Sequence, residues 1–290
     1  MTDYMIKGYN SEVRIVAINS TEIVSEASKR HQTSATAISA LGRLLTGGVL
    51  LASTLKGEKE ALSLAISCEG PLEKIVVDAS PTGGVRGYVR NPQVDFAGIE
   101  GKANIKEAIG NGTLTVTRFL ENGETFSGTT RLVSGEIAAD LTHYLLQSEQ
   151  IPSLISLGVL VNQDTSIASA GGYFIQALPG ASDETLKEIE NMVYALPPVS
   201  QMIVEGNTPT EILQLLFGRI PFEMDEQMPV GFFCPCSYEK MIKGLMTIGS
   251  EELRSLAEEK EEIELVCDFC NEKYYFLSNQ LEEIAKSIER

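Results

Sequence analysis

Four cysteines near the end of the chain are the residues whose type and spacing most directly imply chemistry. They stand as Phe233-Cys234-Pro235-Cys236 and, further on, as Cys267-Asp268-Phe269-Cys270. Zn²⁺ takes four ligands in a tetrahedron and favours soft thiolates, and two close cysteine pairs supply one such set. A Cys-x-x-Cys pair puts two sulfurs on one tight knuckle, whereas Cys-x-Cys leaves the backbone little slack. On the cysteines alone, the plain reading is a structural zinc ribbon that pins a small domain. Four protein ligands leave no open position for water or substrate, which argues against zinc-dependent hydrolysis. Four thiolates around one zinc carry net negative charge. Lys240, Lys243 and Lys273 are close enough in sequence to offset it, or are plain surface lysines.

The chain that must position these sulfurs has 290 residues, which suggests two domains with one open to subdivision. A hydrophobic content of 43% is enough for a buried core. The longest apolar stretch, 35–55, is broken by Arg43 and Gly47-Gly48, so no uninterrupted run is expected to span a bilayer. The start, Met1-Thr2-Asp3-Tyr4, carries no basic stretch before an apolar one, so no secretory signal is read. The expected compartment is the cytoplasm, where thiols stay reduced and five cysteines argue for metal or redox chemistry rather than a disulfide framework. A net charge of −17 disfavours nucleic-acid partners and keeps the chain soluble. Two histidines and no nucleophile motif leave serine or histidine catalysis without support, so the chain is not read as an enzyme.

In chain order, residues 12–19 are rich in β-branched side chains and read as a strand. Ser20 or Thr21 offers an N-cap for a helix over 22–31, and 33–55 reads as a longer, deeply buried helix in which Gly47-Gly48 admits a close backbone or marks a kink. Leu62, Leu64, Ile66 and Cys68 share the inward parity of a strand, making Cys68 a small core hydrophobe. Turns at 81–84 and at Asn122-Gly123 separate further strands, so this part reads as a strand-rich sheet with helices packed on it. A helix follows Ser134-Gly135-Glu136, with His143 as a partly buried surface residue. Strands at 155–161 and 167–178 flank a hairpin turn, and Gly171-Gly172 suggests a bulge or close packing. From 182 to 229 the signals are short helices punctuated by proline. They include a capping box at Thr208-Pro209-Thr210-Glu211 and the core-filling Met192, Met202, Met224 and Met228. In the cysteine region, Ser237, Ser250 and Ser278 offer caps for three helices. The acidic run 258–264 reads as a solvated face, and Tyr274, Tyr275 and Phe276 as a short strand. The expected fold is α+β: an N-terminal α/β core domain (1–178), a helical linker (179–231) and a small C-terminal zinc-binding domain (232–290).

With these motifs placed, the chain resembles the heat shock protein 33 family of redox-regulated chaperones. The likeness is carried by Phe232-Phe233-Cys234-Pro235-Cys236-Ser237 and Cys267-Asp268-Phe269-Cys270 with the aromatic strand after it. Upstream it is carried by Tyr144 to Pro152, Ala170-Gly171-Gly172 through Gln176 and Pro179, and Leu213-Gln214-Leu215-Leu216-Phe217. The resemblance implies a switch. Reduced, the protein holds one zinc per chain on Cys234, Cys236, Cys267 and Cys270 and is inactive. Oxidants join Cys267 to Cys270 and Cys234 to Cys236, zinc is lost, and the cysteine domain and then the linker lose structure. Apolar surface then binds unfolding client proteins without ATP, in an active form associated with homodimers, with no nucleic-acid or membrane partner. The magnitudes allow it. A structural zinc contributes on the order of 10–16 kcal/mol to folding, a whole domain is stable by about 5–15 kcal/mol, and a segment this short buries only a modest core. Two other readings compete: a zinc ribbon with a nucleic-acid partner site, which lacks a basic surface, and a thiol–disulfide oxidoreductase using Cys267 and Cys270, which would need a helix rather than strand residues after the motif.

Overall fold

The computed structural model describes residues 2–96 and 104–289. They form two compact units, Met1–Phe233 and Cys234–Arg290. The first contains, in chain order, β1 (Tyr4–Tyr9), β2 (Val13–Asn19), α1 (Thr21–His31), α2 (Ala35–Ala52), β3 (Ala61–Cys68), β4 (Lys74–Ala79), β5 (Gly84–Val89), α3 (Ile105–Ile109), β6 (Gly112–Phe119), β7 (Thr125–Arg131), α4 (Ile137–Ser148), β8 (Ser153–Val161) and β9 (Ile167–Ala177). Helices α5 (Asp183–Ala195), α6 (Val199–Val204) and α7 (Pro209–Phe217) follow, then three two-residue strands, β10 (Glu223–Met224), β11 (Met228–Pro229) and β12 (Gly231–Phe232). The second unit holds α8 (Tyr238–Met246), α9 (Ser250–Glu259), β13 (Glu262–Val266), β14 (Lys273–Leu277) and α10 (Ser278–Ile288).

The strands of the first unit form two sheets rather than the single sheet expected. One runs β10-β1-β2-β9-β8, with β11 also paired to β1; the other runs β12-β5-β4-β3-β6-β7. Local hairpins do not reveal this, because the first sheet joins distant segments: β2 pairs antiparallel with β9 from Val13↔Ala177 to Asn19↔Gly171. Helix α2 lies between the sheets, touching β2, β8 and β9 on one side and β3, β4 and β5 on the other. That position explains its composition. With a mean hydropathy of 1.5 over 18 residues it is long and apolar enough to cross a membrane, contrary to the expectation drawn from Arg43 and the glycines, yet 89% of it is buried inside the protein. The helix runs unbroken through Gly47 and Gly48. A Cβ there would lie 2.6 Å from Leu141 Cδ1 or 2.8 Å from Val77 Cγ1, so neighbouring side chains, not another backbone, use the space. Close packing does hold at Gly172, where a Cβ would meet Ser156 O at 2.6 Å. The irregularity in that hairpin sits instead at Leu160/Val161.

Strand alternation gives the first sheet two apolar faces. Val16 and Ile18 of β2 and Phe174 of β9 join the core around α2. Val13, Ile15, Ala17, Tyr173 and Ile175 point the other way, together with Ile6, and are covered by Ile189, Met202, Ile203, Leu213, Leu216 and Phe217 of α5–α7. The proline-punctuated helices are therefore packed on this unit. Ser182 Oγ accepts from Thr185 N–H to cap α5, and the capping box read at Thr208 and Glu211 forms reciprocally with Pro209 opening α7. In the second unit, Ser237 caps α8, while Ser250 and Ser278 are the first helical residues and Gly249 and Leu277 hold the cap positions.

At α1 the cap is not local. Ser20 precedes the helix but its Oγ pairs with Thr46 Oγ1 at 2.7 Å, and Asp3 Oδ2 accepts from Ile23 N–H at 2.8 Å. Asp3 is buried and its other carboxylate oxygen has no partner among the described residues, so burial pushes its carboxyl up to about 6 despite the N–H groups that favour the charge. A raised carboxyl contributes stability that is full below its unfolded value near 3.8 and is lost as pH climbs through about 6. Asp3→Asn keeps an acceptor without the charge. It should therefore be more stable than the parent at pH 7.5, with the gap narrowed to about half at pH 5 and closing only below the unfolded value near 3.8; thermal unfolding across this range measures it, and a pH-independent gap refutes the assignment.

Candidate metal centre

The second cysteine pair occupies the tip of a hairpin. β13 and β14 pair antiparallel from Glu262↔Leu277 to Val266↔Lys273. Across residues 267–272 the turn is closed by Cys267 N–H to Glu272 C=O at 2.9 Å and by Asn271 N–H to Cys267 C=O at 2.8 Å. Asn271 takes φ +57°, a left-handed conformation that asparagine tolerates better than most residues. The first pair lies on the approach to α8. Ser237 caps that helix, and the ring of Tyr238, its first residue, stacks on Phe276 of β14 at 4.5 Å. The start of α8 is thereby anchored beside the hairpin, which brings the two cysteine pairs together.

All four sulfurs lie within 4.8 Å of one another. Cys236 Sγ is 3.4 Å from Cys270 Sγ, and Cys234 Sγ is 3.8 Å from Cys267 Sγ. A tetrahedron with metal–sulfur bonds of about 2.3 Å has edges of about 3.8 Å, so the cluster is of the right size to hold one metal ion. Cys267 and Cys270 are buried, and burial pushes both thiols well above their usual range. The N–H groups of Phe269 and Glu272, which donate to Cys267 and Cys270 respectively, offset this only in part. Buried thiols of this kind become thiolates when a cation replaces their protons. Cys236 receives a different donor, the Tyr274 hydroxyl at 3.1 Å. Of the lysines considered as counter-charges, Lys273 Nζ sits 3.1 Å from Glu264, and Lys240 and Lys243 are exposed on α8.

Around this cluster the apolar core is small, built on Leu245, Leu253, Ile263, Phe276, Leu281, Ile284 and Ala285. Folded segments this short generally need a staple in addition to such a core. The acidic run is solvated apart from Ile263, which alternation along β13 turns inward. Cys68 ends β3, half-buried against the main core, and burial raises its thiol to about 11, as suits an inert core residue. His143 is half-buried on α4. Sequence reasoning placed Tyr274 on a strand but missed its contact with Cys236. The signal was parity: Tyr274 shares the face of the buried Phe276, opposite the exposed Tyr275.

The description of the Hsp33 protein family matches residues 3–277 of this chain. The chain belongs to the Hsp33 family. It is 43% identical to the 33 kDa chaperonin of Bacillus subtilis (strain 168), covering 99% of this chain and 100% of that one. It is 42% identical to the 33 kDa chaperonin of Geobacillus sp. (strain WCH70), covering 100% and 99%. Its backbone is similar to the crystal structure of the 33 kDa chaperonin of Thermotoga maritima, with a TM-score of 0.91 at 35% identity over 99% of both chains. Hsp33 is a chaperone family, and both the mixed α+β fold and the resemblance read from the cysteine motifs agree with it.

If the four sulfurs form one site, replacing Cys234, Cys236, Cys267 or Cys270 singly with serine should lower metal affinity at least about tenfold. Cys68→Ser should leave it unchanged. Elemental analysis and titration with a chromogenic chelator measure both, and a reduced parent protein that holds no metal overturns the site.

Proposed function

We propose that this chain is a redox-regulated, ATP-independent holdase whose switch is a zinc site made by Cys234, Cys236, Cys267 and Cys270. The observation that carries the reading is the second face of the β1–β2–β9–β8 sheet. Its apolar residues are covered by α5–α7, the part of the chain that leads into the cysteine unit. Soft thiolates favour zinc over harder cations, and zinc, when bound, supplies the charge that keeps the sulfurs deprotonated, the form that oxidants attack.

Oxidation then follows ordinary thiol chemistry. In each pair one thiolate attacks a peroxide oxygen, the O–O bond breaks, and hydroxide departs to leave a sulfenic acid. The second thiolate attacks that sulfur and expels a second hydroxide as the S–S bond forms. With two protons taken up, one pair and one peroxide give one disulfide and two waters. Following the family resemblance, the pairs are Cys267 with Cys270 and Cys234 with Cys236. Disulfide sulfurs carry no charge, so the oxidised cluster cannot retain a cation. A unit with so small a core then unfolds, because disulfides closing such short loops constrain the chain far less than a four-point clamp.

Beyond Phe217, half-buried Met228, Val230 and Phe232 rest against the main core, and the regular backbone pairing is short. β10, β11 and β12 are two residues each, and the last hold before Cys234 is Phe233 N–H on Val85 C=O at 2.8 Å. Once the cysteine unit unfolds, α5–α7 are short helices held chiefly by their packing on the sheet, and their release bares Ile6, Val13, Ile15, Tyr173 and Ile175. That face is the surface offered to unfolding clients. The active form is a homodimer in the cytoplasm, with no nucleic-acid or membrane partner and no catalytic turnover.

Peroxide at mildly raised temperature should release zinc and switch on suppression of client aggregation together, and reductant should reverse the activation. Hydrogen exchange should rise in 182–229 and in the cysteine unit while the two sheets stay protected, and peptide mapping should find the two within-pair disulfides. Zinc release with no client protected would reduce the site to a structural staple.

A second test loosens the cover without oxidant. A Cβ on Gly158 of β8 would lie 2.8 Å from Ser200 Cβ and 2.9 Å from Ser200 N on α6, a backbone contact that no rotamer change relieves. Gly158→Val should therefore lift α6 and give partial holdase activity in the reduced state, with zinc content unchanged. Raised exchange in α6 without any activity would show that baring this face is not sufficient.

A further inference from the structure

The two knuckles of the cluster do not satisfy their sulfurs in the same way. In the Cys267–Cys270 knuckle the donors are backbone N–H groups, from Phe269 to Cys267 and from Glu272 to Cys270. In the Cys234–Cys236 knuckle a side chain takes part. The sulfur of Cys236 accepts instead from a side chain on the other knuckle's hairpin, the hydroxyl of Tyr274 at 3.1 Å. That tyrosine is half-buried on the inward face of β14, two residues from Phe276, whose ring is fully buried and stacks on Tyr238. The hydroxyl is therefore delivered by a rigid strand rather than by a mobile loop.

We propose that Tyr274 is the positioning residue of the switch, orienting Cys236 through the hydrogen bond its hydroxyl donates to that sulfur. The assignment rests on the four-sulfur site described above. A donor on a ligand atom fixes the direction of its lone pairs and tightens metal binding, and it also draws electron density from the sulfur and slows its attack on an oxidant. Cys236 is more exposed than Cys267 and Cys270. Without the hydroxyl it would react more readily than the two buried sulfurs; with it, this partly exposed sulfur is restrained. Once Cys236 is in a disulfide its sulfur is uncharged and a weak acceptor, so the same oxidation removes a tie between the first knuckle and the hairpin.

The test uses Tyr274→Phe in the full-length reduced protein, which keeps the ring and deletes only the hydroxyl. Chelator competition should show zinc affinity lowered about tenfold. Timed alkylation with peptide mapping should show the reaction of Cys236 relative to Cys270 raised several-fold, with thermal unfolding of the first unit unmoved. If Tyr274→Phe does not fold, fluorotyrosine at 274, nearly isosteric and a stronger donor, should move both readouts the opposite way. Unchanged affinity and an unchanged alkylation ratio overturn the proposal. The alkylation ratio is read whether or not metal is bound and without any client, so a parent protein that binds no zinc or protects no client defeats the proposed function while leaving this contact separately measured.

Discussion

A sheet that is apolar on both faces must be covered on both, and much of this molecule follows from that requirement. On one side the cover is α2, which sits between two sheets and has nearly every residue buried. On the other side it is α5–α7. The two covers differ in kind. Helix α2 is held on all sides by permanent neighbours and would leave two sheets exposed if it moved. The outer helices rest on one sheet only, and the chain beyond them is fastened by strands two residues long. Burial of apolar area drives both arrangements, but only the outer one can be undone without dismantling the core.

The second unit is small for the opposite reason. Its apolar residues are few, and two of its most buried side chains are thiols. A thiol contributes little to a core as a hydrophobe and much as a ligand, so in the proposed zinc-bound state stability there is concentrated in four atoms that lie within 4.8 Å of one another. Chemistry at those atoms has a structural consequence that the same chemistry at Cys68 would lack. Cys68 ends a strand in a large core, with its thiol pushed up by burial.

Much of the architecture could be read from local pattern. The capping box at Thr208 and Glu211, the cap at Ser237, the turn at Asn122-Gly123 and the two cysteine pairs are signals contained in a few residues, and they stand where local rules put them. Features that depend on distant pairing were not legible. Two sheets look like one when β2 and β9 are far apart in sequence, and a cap supplied by Asp3 to Ile23 leaves no local signature. The glycines of α2 were misread for a related reason: a small residue shows that something comes close, but not whether it is a backbone or a side chain. At the cysteine cluster the four residues that come together were visible in spacing, while the donors to the sulfurs were not, because a Tyr274–Cys236 contact exists only once the hairpin and α8 have come together.

The order of the covers along the chain has its own consequence for synthesis. The β1–β2–β9–β8 sheet is complete when Ala177 has been made, but its outer cover ends only at Phe217. A ribosome adding about 5–20 residues per second leaves that face bare for on the order of 2–8 s while the next forty or so residues emerge. Every newborn copy thus passes through a brief stage with the same apolar face unprotected. Re-covering that face on a full-length chain would be a replay of the last stretch of its own birth.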